Sequence, residues 1–203
     1  MGQLITEMNQ VIQLVIDQIY NAFMYIPGGY AWAASITIAA FLSGILWRFY
    51  IHKSIRWTFW CRLLPLFLFV VYVYCILQLT ILSRKPGSFG GMDWRILARW
   101  NESDAQKAFL IMNLIMFIPL GILLPMFGKW AGHILVSWPI AIICSTGIEM
   151  IQLKYRLGFC QLDDIIANSV GFLVGFLGYL ILQDVFFILR GIVSAFLKLF
   201  DGR

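Results

Sequence analysis

Charged residues are scarce in this chain of 203 residues: Asp, Glu, Lys and Arg together make up 12% of it. An ordinary soluble domain carries about a quarter. Because 61% of the residues are hydrophobic, a soluble fold would have too few polar side chains to cover its surface. The scarcity of charge therefore indicates membrane spans. The net charge of +5 comes from no dense basic run, so no nucleic-acid partner is expected.

Positive charge is absent from the start of the chain, where the first Lys or Arg is Arg48. A cleaved secretory signal needs a basic region before its apolar core, so none is predicted. Residues 1–29 instead place Leu4, Met8, Val11 and other apolar residues at helical spacing among polar ones. This pattern predicts an amphipathic helix lying in the membrane interface. A helix packed along the bundle is the alternative.

Cysteine and histidine are also scarce. The four cysteines are Cys61, Cys75, Cys144 and Cys160. Their distribution among spans and connections implies no disulfide framework. His52 and His133 fall on the side of the membrane opposite the acidic residues described below. The sequence therefore predicts no metal site, and it indicates no cofactor.

What the chain does have is long apolar stretches, five of which approach the roughly 20 residues that cross the hydrocarbon. They are residues 31–47, 63–82, 109–127, 131–153 and 165–182. We predict an all-α, polytopic membrane bundle of about five transmembrane helices. Its parts are an N-terminal helix (1–29), a first span with a basic loop (30–62), a main transmembrane domain (63–183) and an amphipathic tail (184–203). Arg190 and Lys198 interrupt the tail, which is interpreted as an extension of the last span or an interfacial helix.

The loop between the first two spans predicts the orientation. It contains Arg48, Lys53, Arg56 and Arg62 and no acidic residue, and such loops stay in the cytoplasm. The N-terminus is then expected outside and the C-terminus inside a bacterial plasma membrane. The basic residues of the remaining loops are too evenly divided to add to this argument.

Polar and ionisable residues gather where the last four spans share one end of the bundle. Successive spans alternate in direction, so the end of the second, the start of the third, the end of the fourth and the start of the fifth lie together. The residues are Arg84, Asn113, Ser145, Glu149, Gln152, Arg156, Asp163, Asp164 and Asn168. With the first loop inside, this end faces outward, and we predict a polar ligand-binding pocket there.

Helical spacing adds detail to this cluster. If the fourth helix persists, Ser145, Glu149, Gln152 and Arg156 share one face. Asp164 and Asn168 continue into Gly171, Gly175 and Gly178, a small-residue face that allows close helix packing. We expect the fourth and fifth spans to pack through this face, with Glu149 near Asn168. An ionisable group in a span needs a polar partner or a wet cavity, so Glu149 is the best catalytic candidate, or else a tie between helices.

These residues resemble the VanZ-like family of bacterial membrane proteins. The matching run is Asn113-Leu-Ile-Met-Phe-Ile-Pro-Leu-Gly121, Ser145-Thr-Gly-Ile-Glu149-Met-Ile-Gln152, Arg156, and Asp163-Asp164-Ile-Ile-Ala-Asn168-Ser-Val-Gly171, with Arg84 and Gly175. The resemblance covers roughly residues 63–182, and Cys160 departs from the pattern. The family's name comes from a protein associated with resistance to glycopeptide antibiotics, chiefly lipid-tailed teicoplanin. The resemblance therefore implies an antibiotic-resistance phenotype and a location in the cell envelope, but it does not imply a particular chemical reaction.

Four functions remain open from the sequence. The leading one is a cell-envelope membrane protein that reduces susceptibility to glycopeptide or lipoglycopeptide antibiotics. It would bind a lipid-linked envelope component or the antibiotic's membrane anchor at the outer leaflet, with membrane lipids as its other partners. The second is an envelope lipid or glycan modifier, with Glu149 as general acid or base and Arg84 or Arg156 holding an anion. A transporter and an accessory structural subunit are the others.

Overall fold

The chain forms an all-α membrane bundle. The computed structural model describes residues 2–51, 63–87, 91–96 and 103–201. Within these residues the helices are α1 (Gly2–Phe23), α2 (Ile26–Ile51), α3 (Leu63–Leu77), α4 (Asp104–Leu123), α5 (Ile134–Lys154) and α6 (Leu162–Asp201). Two short strands are β1 (Met92–Asp93) and β2 (Cys160–Gln161). Most of the basic loop lies outside the described residues, including His52, Lys53, Arg56, Cys61 and Arg62.

Five segments of the described residues are long and apolar enough to cross a membrane, which confirms the predicted number. They are Ile26–Ile45, Leu63–Leu82, Asp104–Phe127, Ile134–Lys154 and Leu162–Ser194. The third begins earlier than residue 109 because Ser103 caps α4, its hydroxyl accepting a hydrogen bond from the Gln106 amide at 3.3 Å. At the other end of the chain α6 runs unbroken to Asp201, so the tail extends the last span.

The N-terminal helix packs against α4. Val11, Val15 and Ile19 are half-buried, at spacings of one helical turn, whereas Ile12 and Ile16 are exposed. This contact corresponds to the alternative of a helix packed along the bundle. The position of α1 in the membrane interface stays a prediction.

The glycine face of α6 packs against α4 at backbone distance. A Cβ at Gly171 would collide with the Leu114 carbonyl, and a Cβ at Gly175 with the Ile118 carbonyl. Gly121 of α4 presents its own bare backbone to Phe172 and Phe176 of α6. Gly178 contributes less, since a Cβ there would only touch Ile122 at 3.9 Å.

The expected partner of the glycine face was therefore wrong: α6 packs through it against the third span rather than the fourth. The physical reason is complementarity, because Gly121 lets α4 approach α6 as closely as Gly171 and Gly175 allow. The fourth span has Gly147, but a Cβ there would meet nothing within 4 Å. α5 contacts α6 instead through polar side chains, with Trp138 Nε1 donating to Ser169 Oγ at 2.7 Å.

An apolar core lies among the last four helices. It contains Ile76 of α3, Phe117 and Leu120 of α4, and Phe172 and Phe176 of α6. Lipid tails are as apolar as these side chains, so expulsion from water supplies little of the stability here. Close packing and dispersion hold the core together. The packed core in turn fixes the positions of the helix ends that carry the polar residues.

Candidate functional site

The second span ends in a π-helical turn, Gln78–Leu82, two residues before Arg84. In a regular α-helix the Thr80 carbonyl would accept from the amide four residues later. Here the Arg84 amide donates to the Ile81 carbonyl at 3.4 Å. The Thr80 carbonyl instead accepts a hydrogen bond from Gln152 Nε2 at 3.1 Å. The turn thus ties the second span to the fourth beside Arg84, and π-turns often occur at functional sites.

The fourth span ends in a tight C-terminal motif. The Leu157 amide donates to the Gln152 carbonyl at 2.8 Å and the Arg156 amide to the Leu153 carbonyl at 3.2 Å. This pair of bonds is the Schellman arrangement, which puts its C′ residue in the left-handed conformation. Arg156 occupies that position with φ 53°, where glycine is usual.

Arg156 therefore leaves the helical face on which the sequence placed it. That placement required the fourth helix to persist, but α5 ends at Lys154 and Arg156 is exposed. The Arg156 carbonyl accepts from the Gly87 amide at 3.1 Å. The left-handed turn at Arg156 thus brings the segment after Arg84 against the connection between α5 and α6.

A short parallel pairing of strands joins two connections over this end of the bundle. Met92 lies opposite Cys160 and Asp93 opposite Gln161, and the Cys160 amide donates to the Gly91 carbonyl at 2.9 Å. Neither strand was predicted, because two residues are too few to show the alternation that reveals a strand.

A layer of polar side chains lies buried at this end of the bundle. Its members are Ser145, Glu149, Gln152, Gln161, Asp163, Asp164 and Asn168. The Glu149 carboxylate accepts a hydrogen bond from the Gln161 amide at 3.0 Å. Asn168 Nδ2 donates to Ser145 Oγ at 2.8 Å, one turn before Glu149 on α5. Gln161 was missed because its role follows from the strand rather than from a helical face.

Burial also affects the thiol of Cys160, which lies in β2 next to Gln161. Desolvation raises the pKa of the Cys160 thiol, and the neighbouring Glu149 and Asp164 carboxylates raise it further. The thiol therefore stays protonated and poorly nucleophilic near neutral pH. Among the described residues, no group of three or more His, Cys, Asp or Glu side chains is arranged to hold a metal ion.

A cavity of about 1060 Å³ opens beside the buried layer. Its walls are mostly apolar side chains of α3 and α4, joined by Ile19 of α1 and by Ile26 and Tyr30 of α2. At one end it meets polar or charged groups and the α5–α6 connection: Thr80, Arg84, Lys85, Asn113, Gly158 and Asp164. We call this the head end of the cavity.

The predicted pocket residues fall into two sets that share Asp164, and the exposed Arg156 belongs to neither. Arg84, Asn113 and Asp164 line the cavity. Ser145, Glu149, Gln152, Asp163 and Asn168 are buried and belong to the polar layer. Arg84 touches the connection, because a Cβ at Gly158 would lie 2.9 Å from its Nη1. Lys85 and Thr80 were missed; the proximity of Lys85 to Arg84 in sequence was the available signal.

Comparison with known proteins places this region in context. A family model described as VanZ/LLP1 matches residues 69–183, which include all of the predicted pocket residues. Protein VanZ of Enterococcus faecium is 38% identical over 69 residues, which are 34% of this chain and 40% of that protein. The chain thus spans well under half the length of the curated relative it matches. No solved structure matches the chain.

Proposed function

The chain belongs to the VanZ/LLP1 family, and from this we propose that it is a cell-envelope membrane protein that lowers susceptibility to glycopeptide antibiotics of the teicoplanin type. It does so by binding an amphiphile at the outer face of the bacterial membrane. The amphiphile is a lipid-linked envelope component or the lipid anchor of the antibiotic itself.

The cavity is the observation that carries this proposal. Ligand sites typically occupy about 300–1,000 Å³ and combine apolar walls with a few polar groups. This one has a volume of about 1060 Å³, with mostly apolar walls along α3 and α4 and its charged groups gathered at one end. Such a shape suits a ligand with a long apolar part and a polar head. The predicted orientation puts the head end outside, where glycopeptides act.

The arrangement of Glu149 favours binding over catalysis. A general acid or base must come within hydrogen-bond reach of the group that it serves. Glu149 is 3% exposed, belongs to the buried layer rather than to the cavity lining, and holds the Gln161 amide. Its position therefore suits a carboxylate that lies outside the cavity and positions the head end through the Gln161 backbone.

The proposal is tested by antibiotic susceptibility of a Gram-positive host that expresses the protein. We expect the wild type to raise tolerance to teicoplanin more than to vancomycin. Lys85→Gln, which removes a cation from the cavity lining, should reduce that tolerance. Lys129→Gln, at an exposed lysine that does not line the cavity, is the matched control and should retain it. Membrane abundance is measured for each protein. Absence of tolerance from wild-type protein that is present in the membrane would refute the proposal.

A further inference from the structure

We infer that the cavity binds a lipid whose head is an anionic phosphate. The phosphate lies at Arg84 and Lys85, and the apolar chain runs between α3 and α4. This inference rests on the proposed function and names the chemistry of its ligand.

The length of the cavity matches an apolar chain. On the second span its lining residues run from Leu68 to Thr80, which is roughly 18 Å at about 1.5 Å per residue. The hydrocarbon core of a bilayer is about 30 Å thick. The cavity is therefore long enough to hold the apolar chain of a lipid from one leaflet.

The walls are apolar and adaptable. Val71, Cys75 and Leu79 line the cavity from the second span, and Met112 and Met116 from α4. Methionine is unbranched and adjusts to irregular apolar shapes. These mostly apolar walls offer a flexible chain many weak contacts, so they select for apolar character rather than for one chain structure.

The charge at the head end favours an anion. Arg84 and Lys85 contribute two cations to the lining of the head end and Asp164 a single carboxylate, so the lining itself carries more positive than negative groups. Both cationic side chains are exposed and can reach a head group at the membrane surface. A guanidinium donates two parallel hydrogen bonds to phosphate oxygens.

Gly158 and Asn113 also contribute to the head end of the cavity. Gly158 leaves room for the Arg84 guanidinium, since a Cβ at Gly158 would lie 2.9 Å from Nη1. The Asn113 amide, which also lines the cavity, offers a further donor. Two cations and an amide together match a head with several acceptor oxygens, which a phosphate has.

The test measures binding to full-length protein purified in a neutral detergent, by native mass spectrometry. The probes are dioleoyl phosphatidate, dioleoyl phosphatidylcholine with the same chains, and inorganic phosphate. We expect about tenfold tighter binding of phosphatidate than of phosphatidylcholine, a difference of about 1.4 kcal/mol. Inorganic phosphate alone should bind weakly, because it gains nothing from the apolar walls.

Two pairs of variants separate the head from the chain. Lys85→Gln should remove most of the preference for phosphatidate, whereas Lys129→Gln, exposed but not lining the cavity, should keep it. Leu68→Trp adds volume to the cavity wall and should weaken both lipids. Leu64→Trp is the control, because Leu64 is exposed on the same helix but does not line the cavity. All four positions are at least partly exposed, and gel filtration checks that each variant folds.

The outcomes separate this inference from the proposed function. Equal binding of the two lipids, or inorganic phosphate binding as tightly as phosphatidate, would overturn the inference. If the wild type still raised teicoplanin tolerance, the proposed function would survive that result. A clear preference for phosphatidate without any antibiotic tolerance would support the inference and count against the proposed function.

Discussion

Glu149 and Gln161 are joined by a buried hydrogen bond, in which the Gln161 backbone amide donates to Oε2 of the Glu149 carboxylate at 3.0 Å. This bond anchors β2 to α5. Gly158 precedes β2 closely and Asp164 follows it closely, and both line the cavity. Glu149 therefore positions the head end without entering it. A side chain of this kind affects function through the connection that it holds.

Substitutions of Glu149 should distinguish the role of its acceptor oxygen from the role of its negative charge. Glu149→Gln retains a carbonyl oxygen that can accept from the Gln161 amide. Glu149→Leu leaves that buried amide unpaired, which costs about 1–3 kcal/mol. We expect thermal unfolding of the detergent-purified protein to show a clear loss of stability for Leu and a much smaller one for Gln.

The control for this pair is Met150→Leu, because Met150 is the next residue of α5 and its side chain is 51% exposed. It should unfold like the wild type. Equal destabilisation by Gln and Leu would contradict the positioning role of the oxygen. Loss of teicoplanin tolerance in a stable Glu149→Gln protein would show that the charge itself is required.

The contact between α4 and α6 predicts a graded response to alanine. Gly171→Ala and Gly175→Ala would each force a Cβ into a backbone carbonyl of α4, so the helices must separate. Both variants should unfold at lower temperature and yield less monodisperse protein. Gly147→Ala is the matched control, since a Cβ there meets nothing within 4 Å.

For Gly147→Ala we expect unchanged or higher stability, by up to about 1 kcal/mol, because alanine favours helix over glycine. Fluorescence-detected gel filtration after heating measures all three variants side by side. The packing argument fails if Gly171→Ala is as stable as Gly147→Ala.

The one-ended placement of the polar residues was predictable, because it depends only on the number of spans and their alternation. The contact of Asn168 with Ser145, one turn from Glu149, is consistent with that alternation and with helical spacing. The contact of Gln152 with Thr80 depends on the π-helical turn, which the sequence did not reveal. The partner of the glycine face was not predictable in the same way. Spacing defines the face of α6 that carries Gly171, but the choice of neighbour depends on Gly121 and on packing across the whole bundle.

The end of the fourth helix and the cavity could not be predicted from the sequence, for other reasons. A Schellman motif is normally signalled by glycine, and the chain has Arg156 there, so the pattern suggested a longer helix. The cavity depends on how α1 and α2 pack against α3 and α4. That arrangement is a sum of many tertiary contacts, and no single motif encodes it.

Arg156 provides a test of backbone strain against side-chain chemistry. Its φ of 53° is unfavourable for residues with a Cβ, by roughly 1–2 kcal/mol relative to the right-handed region. Arg156→Gly relieves this cost and Arg156→Ala keeps it, while both remove the guanidinium. We expect the Gly variant to be more stable than the Ala variant by about 1 kcal/mol, measured by thermal unfolding.

The same two variants then report on function. If the guanidinium serves the head end, both lose teicoplanin tolerance despite their different stabilities. Tolerance that follows stability instead, retained in Gly and reduced in Ala, would assign Arg156 a purely structural part.

The predicted orientation is tested by labelling the two ends of α5. Phe159 lies in the connection at the head end and is 43% exposed, whereas Lys129 is exposed in the turn before α5. Phe159→Cys and Lys129→Cys are each introduced after the native cysteines are replaced by serine. A membrane-impermeant maleimide should label Phe159→Cys on intact protoplasts, and Lys129→Cys only after permeabilisation.

Because the two positions flank one span, they must give opposite results in any single orientation, which provides an internal control. The reverse pattern would place Arg84, Asp164 and the rest of the head end in the cytoplasm. A glycopeptide outside the cell could not then reach the head end, so a reversed result would exclude direct binding of the antibiotic's anchor there. Binding of an anionic lipid from the inner leaflet would remain compatible with the cavity, and the phosphatidate assay decides that point independently of orientation.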